Sequence, residues 1–227
     1  MNSQQSLNRI LSEYAEEFKV YKDYLLSCNE KYNLTAICDE KGILYKHFLD
    51  SILPENEFFE GANVVEIGSG AGFPSVPLKI VRRDLKFTLI ESTGKKCNFL
   101  NEVVDKLGFN GVKVLNTRAE DAGRLPEYRE KFDICTARAV ARLNTLCEYC
   151  LPFVKVGGKF IAYKGEAEEE INESLKAIKL LGGELEKTEC YELPEDCGKR
   201  TVIIIKKVCA TPLKYPRGQG KERKNPL

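Results

Sequence analysis

An acidic residue closes an apolar run and three alternating glycines follow it: Val64-Val65-Glu66-Ile67-Gly68-Ser69-Gly70-Ala71-Gly72-Phe73-Pro74. Glycine at these places permits positive φ and close approach of a ligand to bare backbone. The run reads as a buried strand turning into a helix, whose first N–H groups face the turn. Two ligand chemistries use such a loop. A dinucleotide site places a pyrophosphate there; an S-adenosylmethionine site places the amino-acid half of that cofactor there. Here the order is G-S-G-A-G-F, not G-x-G-x-x-G, and Glu66 stands just before it. A carboxylate repels a pyrophosphate and attracts an ammonium. The loop therefore favours S-adenosylmethionine, with Glu66, Gly68, Ser69, Gly70, Gly72 and Phe73 as its binding set.

Three further places complete a crevice. Glu91 ends the next expected strand, where a carboxylate accepts from both ribose hydroxyls and excludes a 2′-phosphate. Arg118-Ala119-Glu120 follows the third strand. There the Ala119 N–H and an acidic side chain suit an adenine edge, or else cap a helix. Arg138, in Thr136-Ala137-Arg138-Ala139-Val140-Ala141, ends the fourth strand. Its fixed fork suits a phosphate or a guanine edge, and equally a structural tie to a carboxylate. His47, the single histidine, lies in an apolar helical pattern and reads as structural. No Ser-His-Asp set and no lysine placed for a phosphate-binding loop is present.

These residues need a scaffold, and the sequence alternates strand and helix from residue 61 onward. Strands are predicted at 62–67, 86–91, 112–115, 132–136, 159–163, 184–191 and 200–208. Helices fall between them, a turn is expected at Lys155-Val156-Gly157-Gly158, and the last two strands form a hairpin. Ahead of this, residues 4–31 and 40–52 carry helical periodicity, with Leu7, Ile10, Leu11, Tyr14, Phe18, Tyr21 and Leu25 on one face. The expected organisation is a helical cap over 1–58, a Rossmann-like domain over 59–210 and a basic tail over 211–227. The fold class is α/β, a seven-stranded mixed sheet.

Net charge is +1 over 227 residues, so a nucleic-acid surface must be local. The tail provides one: Lys214, Tyr215, Arg217, Lys221, Arg223 and Lys224 against the single acid Glu222 suit a phosphate backbone and a stacked base. Nine cysteines are irregularly spaced. Cys147-Glu148-Tyr149-Cys150 is half a zinc site at most, so the thiols read as core or helix-surface groups and no metal is expected. Without a signal-like or membrane-length apolar segment, the chain is expected to be a cytoplasmic monomer.

Taken in order, these motifs resemble the bacterial 16S rRNA guanine-N7 methyltransferases, the RsmG or GidB family. The resemblance runs through Asn33-Leu34-Thr35-Ala36-Ile37, Lys46-His47-Phe48-Leu49-Asp50-Ser51, the glycine loop, Glu91-Ser92 with Lys95-Lys96, and Arg118-Ala119-Glu120. It continues through Thr136 to Ala141, Lys164-Gly165 and Tyr215-Pro216-Arg217. Departures are Ser75 where a further glycine is usual, Glu91 where aspartate is frequent, Thr136 for serine, and the tail after Gly218. The resemblance implies a class I S-adenosylmethionine-dependent methyltransferase that modifies N7 of one guanine, position 527 in the 530 loop of 16S rRNA. It implies the small ribosomal subunit or its RNA as partner. The glycine loop and Glu91 would hold the cofactor, Arg118, Ala119 and Glu120 its adenine, and Arg138 would act as the catalytic group between cofactor and substrate. A methyltransferase for a protein or small molecule, and a non-enzymatic ribosome-binding factor, are the competing classes. An NAD-dependent dehydrogenase is more remote.

Overall fold

A computed structural model describes Ile10 and residues 12–227. Residues 4–9 and Leu11 of the first expected helix lie outside the described residues; the described part forms α1, Ala15–Tyr32, with Phe18, Tyr21 and Leu25 buried. Asn33 closes it in the left-handed region, its N–H donating to Asn29 O, as a helix C-cap does. The second expected helix is not uniformly α. α2 covers Glu40–Gly42, a π-helical segment covers Ile43–Leu49, and α3 covers Asp50–Ile52. Asp39 caps the start by accepting from the Gly42 N–H.

The sheet contains β1 (Asn63–Ile67), β2 (Lys86–Glu91), β3 (Val112–Asn116), β4 (Phe132–Arg138), β5 (Val154–Lys164), β6 (Gly183–Glu192) and β7 (Lys199–Lys207). Its order is β3-β2-β1-β4-β5-β7-β6. β1 to β5 are parallel, and β7 is antiparallel to both neighbours. Helices α4 (Ser75–Val81), α5 (Gly94–Lys106), α6 (Ala119–Ala122), α7 (Leu143–Cys150) and α8 (Glu168–Leu180) connect the strands, and α9 (Lys221–Lys224) lies in the tail. Strand order reverses between β1 and β4, which opens a crevice at their carboxyl ends.

Alternate residues of each strand serve opposite faces. Val64, Leu89, Ile134, Ile161 and Ile204 pack under Phe18, Tyr21, Leu25 and Phe48 of the cap, with Leu78 and Phe99 from α4 and α5. On the other face Val65, Ile67, Cys135, Phe160 and Ile203 pack against Leu146, Cys147 and Cys150 of α7, Ile178 of α8 and Tyr215 of the tail. Both cysteines of the C-x-x-C are thus core groups, and burial pushes both thiols up in pKa.

Two expectations are corrected. Lys155 to Gly158 is not a turn between elements but a bulge within β5. Phe132 pairs with Val154 while Ile134 pairs with Lys159, so the extra residues loop out. Glycine is required where the bulge touches β4, because a Cβ on Gly158 would stand 2.4 Å from Asp133 O. The tail, whose glycines and prolines argue against a helix, contains α9 and is packed against the domain.

Candidate active site

The glycine loop leaves β1 at the crevice. Gly68, Gly70 and Gly72 have φ of 67°, 56° and 94°, values that disfavour any L side chain. Space excludes one as well: a Cβ on Gly68 would meet Val140 Cγ2 at 2.8 Å, and one on Gly72 would meet Val76 Cγ2 at 2.5 Å. The Gly68 N–H donates to Ile90 O at 2.8 Å, which ties the loop to β2. Glu91, at the end of β2, is buried. Its Oε2 accepts from the Gly70 N–H at 3.0 Å and its Oε1 from the Thr93 N–H at 2.8 Å. A carboxylate offers about four acceptor positions, so Glu91 is fixed in place with capacity to spare.

Glu66 is wholly buried. Its Oε2 accepts from the Ser75 N–H at 3.2 Å, at the start of α4. Its Oε1 has no partner, nor has Thr136 Oγ1, and Glu66 and Thr136 are register neighbours on β1 and β4. Burial pushes the Glu66 carboxyl up to about 8, against the lowering effect of the Ser75 bonds and Arg138, with Glu91 raising it further. Buried polar atoms are normally satisfied. Unpartnered oxygens beneath a glycine cradle fit a ligand with polar groups of its own, and the ammonium of S-adenosylmethionine is such a group.

The cap reaches the same loop. The Tyr21 hydroxyl of α1 donates to Ala71 O at 2.5 Å. The His47 ring stacks on Phe73 with centroids 4.2 Å apart. Burial and then Arg138 lower the His47 pKa to about 4, so the ring is neutral. Arg138 Nη2 lies 3.0 Å from its Nδ1 and Thr35 Oγ1 lies 2.7 Å from its Nε2. The guanidinium can only donate, which makes Nδ1 the acceptor and leaves the proton on Nε2.

Arg138 itself reaches into the cap, with its guanidinium over the Phe73 ring at 5.6 Å. Nη2 donates to Lys46 O at 2.6 Å, Nη1 to Ser51 Oγ at 3.3 Å, and Nη1 pairs with Asp50 Oδ2 at 3.2 Å. Of the two roles open to it in the sequence, the geometry presents the tie to a carboxylate. Asp50 also meets Arg200 Nε of β7 at 3.4 Å, and Tyr163 of β5 donates to Ser51 O at 3.0 Å.

At the third strand end, Arg118 is exposed and precedes α6, with Ala119 its first residue and Glu120 buried. Glu91 O accepts from the Thr117 N–H at 3.1 Å and from Asn116 Nδ2 at 3.0 Å, which joins the ends of β2 and β3.

The tail residues divide. Lys214, Lys221, Arg223 and Lys224 are exposed. Tyr215 is only 5% exposed, within the α7-side core, so its ring is not presented for stacking. Arg217 forms a bidentate pair with Glu148: Nη2 to Oε2 is 2.7 Å and Nε to Oε1 is 2.9 Å, and the Glu148 side chain is fully buried. These two residues seat the tail, because a buried carboxylate of α7 must be paired.

The comparisons bear on this arrangement directly. A family model described as "GidB: rRNA small subunit methyltransferase G" matches residues 14–199. The chain belongs to the rRNA small subunit methyltransferase G family. Curated relatives carrying the name ribosomal RNA small subunit methyltransferase G are similar over almost the full chain. One from Lactobacillus delbrueckii subsp. bulgaricus is 49% identical, covering 93% of this chain and 91% of the relative. One from Acetivibrio thermocellus is 49% identical, covering 95% and 89%. Solved structures are more distant and show the fold. A SAM-dependent methyltransferase from Aquifex aeolicus has a TM-score of 0.55 at 19% identity, covering 75% of this chain and 94% of that one. TYW2 of M. jannaschii in complex with AdoMet has a TM-score of 0.56 at 17% identity, covering 74% and 75%. The seven-stranded sheet with its crevice is therefore that of S-adenosylmethionine-dependent methyltransferases.

In this member of the family, the sequence reading missed Tyr21, Asp50 and Tyr163 as groups that set the crevice. Tyr21 stood in plain view as a core position of an amphipathic helix, but only its burial against the loop shows what the hydroxyl does. Asp50 and Glu148 carried a readable sign, each being an acid inside an apolar helical run. Such an acid needs a cation from elsewhere.

Proposed function

We propose that this chain transfers the methyl group of S-adenosylmethionine to N7 of one guanine of 16S rRNA, position 527 in the 530 loop. The family match over residues 14–199 carries this reading, since it spans the cap, the glycine loop, Glu91 and Arg138 together. S-adenosylmethionine, when bound, supplies an electrophilic methyl on a sulfonium. Guanine N7 holds a free lone pair and loses no proton on methylation, so the chain needs no general base. Its residues have to position and to manage charge.

In this reading Gly68, Ser69, Gly70, Gly72 and Phe73 form the cradle, and Glu66 faces the ammonium, whose charge would draw its carboxyl back toward ionisation. Glu91 receives the ribose, and Arg118, Ala119 and Glu120 border the adenine. Arg138 holds the cap against the end of β4 through Asp50 and Lys46 O, beside the Phe73 ring of the cofactor loop, and so shapes the pocket between cofactor and substrate. Lys214, Lys221 and Lys224 meet phosphates, with Arg223 beside them bonded to Val140 O, and the lysines' contribution is salt-sensitive. The target base must lie outside duplex stacking, as in a loop of folded RNA. The cap of residues 1–58, the domain of 59–210 and the tail of 211–227 serve as roof, cofactor floor and RNA contact.

Labelled S-adenosylmethionine offered with small subunits lacking the modification should place one methyl on one guanine N7, and subunits already modified should take none. Label on protein or on small molecules alone would replace the substrate assignment. Glu91→Ala should weaken cofactor binding about tenfold or more in calorimetry; an unchanged Kd removes Glu91 from the ribose.

A further inference from the structure

The tail touches the wall of the cofactor crevice as well as solvent. After β4 the chain turns through Ala139, whose φ is 56°, and sets Val140 against the glycine loop. Val140 Cγ2 occupies the space that a side chain on Gly68 would need. Two cations hold this segment by its carbonyls. Lys164 Nζ of β5 donates to Ala141 O at 2.7 Å, and Arg223 Nη2 of α9 donates to Val140 O at 3.2 Å.

The seat of α9 is made by its one acid. Glu222 is fully buried; its Oε1 accepts from the Gly218 N–H, its main-chain O accepts from Thr145 Oγ1 at 2.9 Å, and its Oε2 has no partner. A buried carboxylate oxygen without a donor is costly, so the seat is incomplete. Lys221 and Lys224, on the same short helix, are exposed. Anionic backbone laid across them would bear on the short helix that carries both Glu222 and Arg223.

We infer that Arg223 is a positioning residue for the cofactor loop, acting through Val140, and that the tail thereby couples RNA contact to cofactor affinity. The inference rests on the function proposed above. Coupling is reciprocal, so the factor by which RNA tightens the cofactor site is the factor by which cofactor tightens RNA.

The test is calorimetry of the full chain with S-adenosylhomocysteine, which binds without reacting, in the absence and presence of a 16S rRNA fragment containing the 530 loop. Arg223→Ala should weaken binding about three- to tenfold without RNA, with the melting temperature near that of the wild type. Arg223→Lys, which keeps a donor for Val140 O, should recover most of the loss. Leu213→Ala, a change at the exposed start of the tail, should do nothing. RNA should tighten the wild-type site about threefold or more and the Arg223→Ala site not at all. Wild-type binding that Arg223→Ala leaves intact, or an RNA effect that persists in the variant, overturns the inference and leaves the function standing. A loss that Arg223→Lys fails to restore, with a lowered melting temperature, marks damage to the fold and also overturns it. Failure of the wild type to bind at all overturns the proposed function itself.

Discussion

The cap and the tail lie on opposite faces of one sheet, and each is tied down by an arginine and a buried carboxylate. The ties are built differently. In the cap the carboxylate belongs to the appendage: Asp50 receives Arg138 from β4 and Arg200 from β7. In the tail the arginine belongs to the appendage, and the fully buried Glu148 of α7 has no other ion-pair partner than Arg217 among the described residues. A carboxylate with two cations tolerates the loss of one, whereas a carboxylate with one does not. The cap's buried carboxylate is therefore paired redundantly, and the one beneath the tail depends on a single arginine.

Arg217→Ala should accordingly destabilise the protein by about 3–5 kcal/mol, the cost of an uncompensated buried charge. Arg138→Ala should cost roughly half as much, because Arg200 remains on Asp50. Urea denaturation of both variants decides it; equal losses would break the comparison. This also revises the simplest reading of Arg217, whose removal would be expected to weaken RNA binding alone.

Two groups on the cap face, Glu66 and His47, have strongly shifted pKa values, and pH tests them next. Glu66 has a folded pKa near 8 against an ordinary 4.5. Its contribution is fully present below 4.5 and is lost as pH rises through 8. In this window the folded state holds one more proton than the unfolded, so stability should fall with pH by at most about 1.4 kcal/mol per unit from this group. His47 works the other way. Its folded pKa near 4 lies below the ordinary 6.5, so its contribution is present above 6.5 and is lost as pH falls through 4. Glu66→Gln should flatten the neutral limb of a stability–pH profile and leave the acid limb. A neutral limb unchanged in the variant would move the titration to another group.

The smallest expected effect concerns the cap's hold on the glycine loop. Tyr21→Phe keeps the packing and removes the bond to Ala71 O. A loss of about 1 kcal/mol, several-fold in cofactor Kd, is expected with little change in melting temperature. An unchanged Kd would make the cap a roof only.

Much of this architecture was legible because parallel strands buried on both faces read as apolar runs, and the loops that end them carry chemistry. Glu66 to Gly72, and Glu91, could be placed from spacing. Three things could not. The segment Lys155-Val156-Gly157-Gly158 has turn composition whether it joins two strands or bulges within one. The partner of Glu148 lies 69 positions away, and a charge in an apolar helix announces a need without naming who meets it. The tail's cations looked alike, yet packing turned Arg217 inward and left Lys214 in solvent.

The π-helical segment Ile43–Leu49 has a consequence for the changes in length that the chain can absorb. A π turn takes up one residue more per hydrogen-bonded ring than an α turn. The segment sits between the start of the cap's second helix and the turn that bears Asp50 and Ser51. Removing one residue at Leu44 or Tyr45, neither of them fully buried, would let the wide turn tighten to α geometry while its two ends keep nearly their relative orientation. Asp50 would still face Arg138, and Ser51 would still face Tyr163. The same deletion inside α1 has no such slack and would rotate the rest of that helix by about 100°. The stretch that joins roof to cofactor floor is therefore the part of the cap where a one-codon loss does least harm.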